Sequence, residues 1–197
     1  MTLVVAHRGA STTAPENTIE AYRLAIEQGA DAIELDVHLT VDGQLAVIHD
    51  ETLERTTDGS GAVVALTMDQ IRAFDAGATF AGSDGSFPYR GHDLRVPTLS
   101  EVIEWLPAKV GLVIEIKARA AVDEVVRLLR QADDVRGRAS VISFDEQAIQ
   151  RSRELDPELT TGLLLVPFDS LERGLVWVTE HGHAGIHPWD GDLGLDP

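Results

Sequence analysis

Short apolar runs recur along this chain, and several end in the polar residues that catalytic sites use. Strand-like runs fall near residues 3–7, 32–39, 45–49, 111–117, 139–144, 160–166 and 183–187. Helical spacing lies between most of them. Residues 17–28 carry Ile19, Tyr22, Leu24, Ala25 and Ile26 before a Gly29 stop, and residues 122–131 carry Val122, Val125, Val126, Leu128 and Leu129. This alternation predicts an α/β fold with a mainly parallel sheet wrapped in helices. Thr40-Val41-Asp42-Gly43 is a reversal signal between the second and third runs. The rhythm breaks over residues 51–97, which are rich in Gly, Ser, Thr and Asp and hold no strong strand. They read as an insertion over the site, with a short helix at 67–74, because long irregular segments in compact domains usually act as lids or binding loops. Thr98-Leu99-Ser100-Glu101 reads as the start of the next helix, with Ser100 as its cap.

The chemistry sits where the apolar runs end. Glu34 and Asp36 are two apart in one run, so on a strand both point to one face. The following run delivers His49 and Asp50, the first ends in His7-Arg8-Gly9, and the run at 111–117 ends with Glu115 and Lys117 on one face. Parallel α/β folds place their active sites at the C-terminal ends of strands. Burying adjacent carboxylates there costs several kcal/mol, which a hard divalent cation with oxygen ligands removes.

Length and charge narrow the reading. The chain has 197 residues, enough for one sizeable core and read here as a single domain over 1–197. A full eight-unit barrel typically takes about 250 residues. A formal charge of −17 argues against nucleic acid or an anionic membrane as the main partner. With no cysteine, thiolate zinc sites and cysteine nucleophiles are excluded. No apolar stretch approaches a membrane span, and the expected location is the cytoplasm.

Seven motifs in order, His7-Arg8-Gly9, Pro15-Glu16-Asn17-Thr18, Glu34-Leu35-Asp36, Asp42-Gly43, His49-Asp50, Pro97-Thr98-Leu99 and Glu115-Ile116-Lys117, closely resemble the glycerophosphodiester phosphodiesterase family. The resemblance runs from Leu3 to about Pro188. It implies a TIM-type barrel and hydrolysis of a small-molecule glycerophosphodiester to an alcohol and glycerol 3-phosphate with one divalent cation, Mg2+ or Ca2+, or Mn2+. Carried over by position, it implies that Glu34, Asp36 and Glu115 hold the metal. His7 and His49 would be the general acid and base, Arg8 and Lys117 would hold phosphate oxygens, and Glu16 and Asn17 would organise the first loop around metal and substrate. Members of the family continue past the strand at 184–188, so the resemblance also implies a barrel incomplete at its C-terminal side, with the first strand lacking its closing neighbour.

Other readings attach to the same residues. The acids form an ion-pair network with Arg8 and Lys117 in the structural alternative, in which Glu16 is a first-turn helix acid and Asn17 a cap. His38, His92, His181, His183 and His187 are read as structural, His38 least securely because it shares the face of Glu34 and Asp36. Trp189-Asp190-Gly191-Asp192 looks like a calcium-loop fragment too short to count. The alternative functions are a related phospholipase-type phosphodiesterase and an inactive fragment or metal-binding module.

Overall fold

The structure, a computed structural model, describes residues 2–166 and 170–188; the 189–192 motif lies outside the described residues. Strand β1 (Val5–His7) leads through helix α1 (Ile19–Glu27) to β2 (Ala32–Leu39) and β3 (Leu45–Val47). The insertion holds α2 (Met68–Arg72), after which α3 (Leu99–Trp105) and β4 (Gly111–Ile116) resume the alternation. It continues through α4 (Val122–Gln131), α5 (Asp133–Arg136), β5 (Ala139–Ser143), α6 (Glu146–Leu155), β6 (Thr160–Leu164), α7 (Leu171–His181) and β7 (Gly185–His187).

Six strands run parallel in the order β1-β2-β4-β5-β6-β7, and β3 turns back to pair antiparallel with the end of β2. This is a (β/α) barrel sheet left open, among the described residues, between β1 and β7. The exposed apolar residues Leu3, Val4 and Val5 lie on or beside β1, the open edge. The tight turn at 40–44 puts Gly43 at φ 78°, a left-handed conformation that favours glycine.

Strand β2 shows why the sheet can carry both a core and a site. Ile33, Leu35 and Val37 enter the main apolar cluster with Leu112, Ile114 and Ile116 of β4 and with Val122, Val125, Val126 and Leu129 of α4. The alternate positions Glu34, Asp36 and His38 are also buried, but on the opposite face. Burial of both faces is what a parallel sheet beneath helices and loops requires.

The insertion has its own small core, in which Leu53, Val63, Met68, Ile71, Ala76 and Val96 pack on Ala46 and Ile48 at the end of β3. Its loops therefore rest on a fixed base. The helix after it is capped differently from expectation: Thr98, not Ser100, is the N-cap, accepting from Glu101 N while the Glu101 side chain accepts from Thr98 N. Thr98-x-x-Glu101 is a capping box, which satisfies two orphan donors where Ser100 would have served one.

Candidate active site

Three carboxylates meet at the C-terminal ends of β2 and β4. Register does most of the placing, because Asp36 lies directly across from Glu115, and Glu34 across from His7 on β1. Glu34, Asp36 and Glu115 each offer an oxygen within 4.8 Å of the others, and all three residues are buried. The expected convergence of these residues is therefore present in the geometry.

Cations surround the acids. Lys117 Nζ lies 2.6 Å from Glu115 Oε1 and 2.9 Å from Asp36 Oδ1. Arg8 Nε lies 3.1 Å from Asp36 Oδ2, and Arg8 Nη1 donates to Glu16 Oε1 at 3.2 Å. The backbone N of Arg8 also donates to Glu34 Oε2 at 3.0 Å. Asn17 Nδ2 donates to Asp36 Oδ2 at 2.9 Å, and Tyr22 donates its hydroxyl hydrogen to Asn17 Oδ1 at 3.0 Å. Asn17 is thus a buried support for Asp36, and the cap of α1 is Thr18. Arg8 and Asn17 both sit at φ 57°, a conformation costing of order 1–3 kcal/mol outside glycine and concentrated at functional sites. Gly9 holds the same loop against α1, where a Cβ would lie 2.7 Å from the Ala21 backbone.

The histidines flank this centre. His7 Nε2 lies 4.0 Å from Glu34 Oε2 with most of its ring exposed. His49 Nδ1 is 2.6 Å from Asp50 Oδ1, a contact that engages Nδ1 and not Nε2. His38, read as structural, places Nε2 3.0 Å from the backbone oxygen of His49 and so fixes the segment that carries it.

Two partners escaped the sequence reading. Arg55, in the insertion, clasps Glu16 and Asp50 at once. Tyr22 looked like one apolar position on α1, yet its hydroxyl completes the chain to Asp36. Neither role leaves a sequence signal, because one contact spans 39 residues and the other depends on a single oxygen on an otherwise apolar helix face.

The electrostatics favour a bound cation. Among the described residues, Glu16, Glu34, Asp36, Asp50 and Glu115 pair with three permanent cations, Arg8, Arg55 and Lys117, and with the imidazoles of His7 and His49; the ionised acids exceed the permanent cations by two charges, which one divalent ion would balance. Without it, burial and the Asp36 charge push Glu34 up to about 8, and burial raises Glu115 as well. Asp36 stays low despite burial, because Lys117, Asn17 and Arg8 favour its charged form. Its Oδ1 is buried against the Lys117 ammonium at 2.9 Å, and a carboxylate oxygen has a further lone pair suited to a hard cation. The donor set, all oxygen and anionic, fits magnesium, calcium or manganese and not a soft metal.

Residues 7–188 match the glycerophosphoryl diester phosphodiesterase family. A glycerophosphodiester phosphodiesterase of Caldanaerobacter subterraneus subsp. tengcongensis is 41% identical over 169 residues, spanning 83% of this chain and 66% of that protein. The crystal structure of a glycerophosphodiester phosphodiesterase from Agrobacterium tumefaciens superposes with a TM-score of 0.81 at 36% identity, over 95% of this chain and 76% of that one. An Oleispira antarctica phosphodiesterase, solved in complex with the product sn-glycerol-3-phosphate, superposes with a TM-score of 0.83 at 29% identity, over 98% and 79%. The chain thus spans about two thirds of the curated relative's length. Sequence, fold and comparison agree that this chain belongs to the glycerophosphoryl diester phosphodiesterase family.

Proposed function

We propose that the protein hydrolyses glycerophosphodiesters to an alcohol and sn-glycerol 3-phosphate, with a divalent cation held by Glu34, Asp36 and Glu115. The observation that carries this reading is the meeting of those three buried carboxylates within 4.8 Å, beside two histidines and two unlike cationic side chains. A phosphodiester repels nucleophiles through its own negative charge, and a bound cation would offset that charge on a phosphoryl oxygen.

The chain's own residues supply the rest. Arg8 presents a fork of donors and Lys117 a compact ammonium, and both are placed to hold phosphoryl oxygens once the metal neutralises the carboxylates they now pair with. His7 and His49 exchange protons with the attacking and leaving oxygens, since imidazole can both take and give a proton near neutrality. One histidine deprotonates the neighbouring glycerol hydroxyl as it attacks phosphorus, and the other protonates the departing alkoxide. The cyclic phosphate so formed is then opened by water, with the proton roles reversed. Glu16 and Asn17 hold Arg8 and Asp36 in place during these steps.

The polar insertion favours a water-soluble diester over a lipid substrate, because a lipid-facing enzyme needs an exposed apolar rim. Among the described residues no helix is long and apolar enough to cross a membrane. Phosphorus NMR of reactions with glycerophosphocholine, glycerophosphoethanolamine and a lysophospholipid tests the reading. Glycerol 3-phosphate should accumulate from the first two; turnover of the lysophospholipid alone would select the phospholipase reading instead.

A further inference from the structure

Arg55 lies on none of the strand ends that build the site, yet it joins the site's two halves. Its Nε and Nη2 donate to Asp50 at 2.6 and 3.0 Å, while Nη1 and Nη2 donate to the two Glu16 oxygens at 2.8 Å each. Asp50 in turn bonds His49 Nδ1 at 2.6 Å, and Glu16 accepts from Arg8 at 3.2 Å. An unbroken chain of charged contacts therefore runs from His49 through Asp50, Arg55, Glu16 and Arg8 to Asp36. Arg55 holds Asp50 well below the usual carboxylate range, with His49 adding to the effect. The loop that carries Arg55 is anchored two residues earlier by Leu53, which is fully buried in the insertion core.

We infer that Arg55 is a positioning residue: its guanidinium fixes Asp50, and through it the tautomer and orientation of the His49 ring, while the same fork steadies Glu16 against Arg8. The inference rests on the proposed phosphodiesterase reading for its kinetic consequence, though not for its structural one. An imidazole held by a carboxylate at Nδ1 keeps its proton there and its basic nitrogen at Nε2, and losing such an orienting partner costs activity without touching the reacting atoms. The planar fork meets both oxygens of each carboxylate, whereas an ammonium acts as a single point charge. The insertion thus becomes part of the catalytic apparatus and not merely a cover for it.

The alternative is that Arg55 only pins the insertion down, and the full chain can distinguish the two. Arg55→Ala and Arg55→Lys are compared with the parent protein in kcat and KM on glycerophosphocholine, magnesium affinity, thermal midpoint and nitrogen-15 NMR of the His49 ring. Removal of the guanidinium should lower kcat about 10- to 100-fold, the range for residues that orient direct participants. Magnesium affinity should stay within about threefold. Added guanidinium should restore part of the lost kcat to Arg55→Ala, and Arg55→Lys should recover less than the parent. In a His49→Ala background the same removal should cost no more than a few-fold, because the group being oriented is gone. The NMR arm needs no turnover: Arg55→Ala should mix the His49 tautomers even if the parent proves inactive on every diester, an outcome that would reject the phosphodiesterase reading alone. An unchanged tautomer, an unchanged kcat, or an equal loss with and without His49 would overturn the positioning role.

Discussion

Replacing Glu115 by glutamine should separate the metal account from a purely structural ion network, because the two states of the protein respond with opposite sign. Carboxylate oxygens within 4.8 Å of one another repel by about 3.5 kcal/mol per ionised pair at an effective dielectric of about 20. In chelator, Glu115→Gln removes that repulsion and the burial cost of the charge at the loss of the Lys117 contact at 2.6 Å; burial holds Glu115 above the usual carboxylate range despite Lys117, so a neutral side chain is favoured there, and Lys117 keeps its contact with Asp36 at 2.9 Å. The metal-free thermal midpoint should therefore hold or rise by a few degrees. With metal the order reverses. Losing one anionic ligand should weaken binding at least about 10²-fold, about 2.7 kcal/mol, after the amide oxygen and water replace most of the lost attraction. At a concentration of 100 times the parent Kd the parent gains about 2.7 kcal/mol, while the variant gains about 0.4. For a chain of this size those gains correspond to roughly 5–10 °C and about 1 °C. Differential scanning fluorimetry with magnesium, calcium and EDTA reads both effects. A variant that kept the parent's metal-induced shift would show that Glu115 is not a ligand, and one that lost several degrees in EDTA would favour the ion network.

Metal binding at pH 7 should release close to one proton, because Glu34, pushed up to about 8 by burial and Asp36, is protonated in the metal-free protein and must ionise to bind. Affinity should then rise about tenfold per pH unit until about pH 8 and level off, as calorimetry in buffers of different ionisation enthalpy can check. Since the folded-state pKa of Glu34 exceeds its unfolded value, its contribution to metal-free stability should fall as pH rises from about 4.5 to 8, and added metal should suppress that fall. His7→Ala and His49→Ala should each lower turnover by roughly 10²–10⁴-fold with little change in metal affinity; near-normal turnover of either would remove that residue from proton transfer. Tyr22→Phe strips Asn17 Oδ1 of its 3.0 Å donor and should destabilise the fold by about 1–2 kcal/mol in urea unfolding, a value near zero contradicting the Tyr22-Asn17-Asp36 chain.

The strands and the carboxylate cluster were legible because both follow from local periodicity. Alternation at 32–39 separates Ile33, Leu35 and Val37 from Glu34, Asp36 and His38, and the turn at 40–43 dictates that the next run folds back. The same periodicity places Glu115 beside Asp36 once β2 and β4 pair. The capping box at Thr98 was equally local, though its Thr-x-x-Glu spacing competed with a serine in the first turn. What local pattern could not supply was the long-range polar wiring. Arg55 lies in the irregular segment 51–97, where no periodicity places a side chain, and its grip on Glu16 exists only after the insertion core seats that loop over β3. Asn17 could equally have capped α1, and its true role depends on a left-handed backbone that turns its amide towards Asp36.

The most direct measurement of the central claim is the rate of sn-glycerol 3-phosphate release from glycerophosphocholine by metal-stripped protein, before and after stepwise addition of magnesium, calcium or manganese. Release should be negligible in EDTA and recover to saturation at one ion per chain, with Asp36→Asn failing to recover under the same conditions. Full turnover in EDTA, or equal recovery by Asp36→Asn, would contradict the assignment of the carboxylate centre as the metal site of a phosphodiesterase.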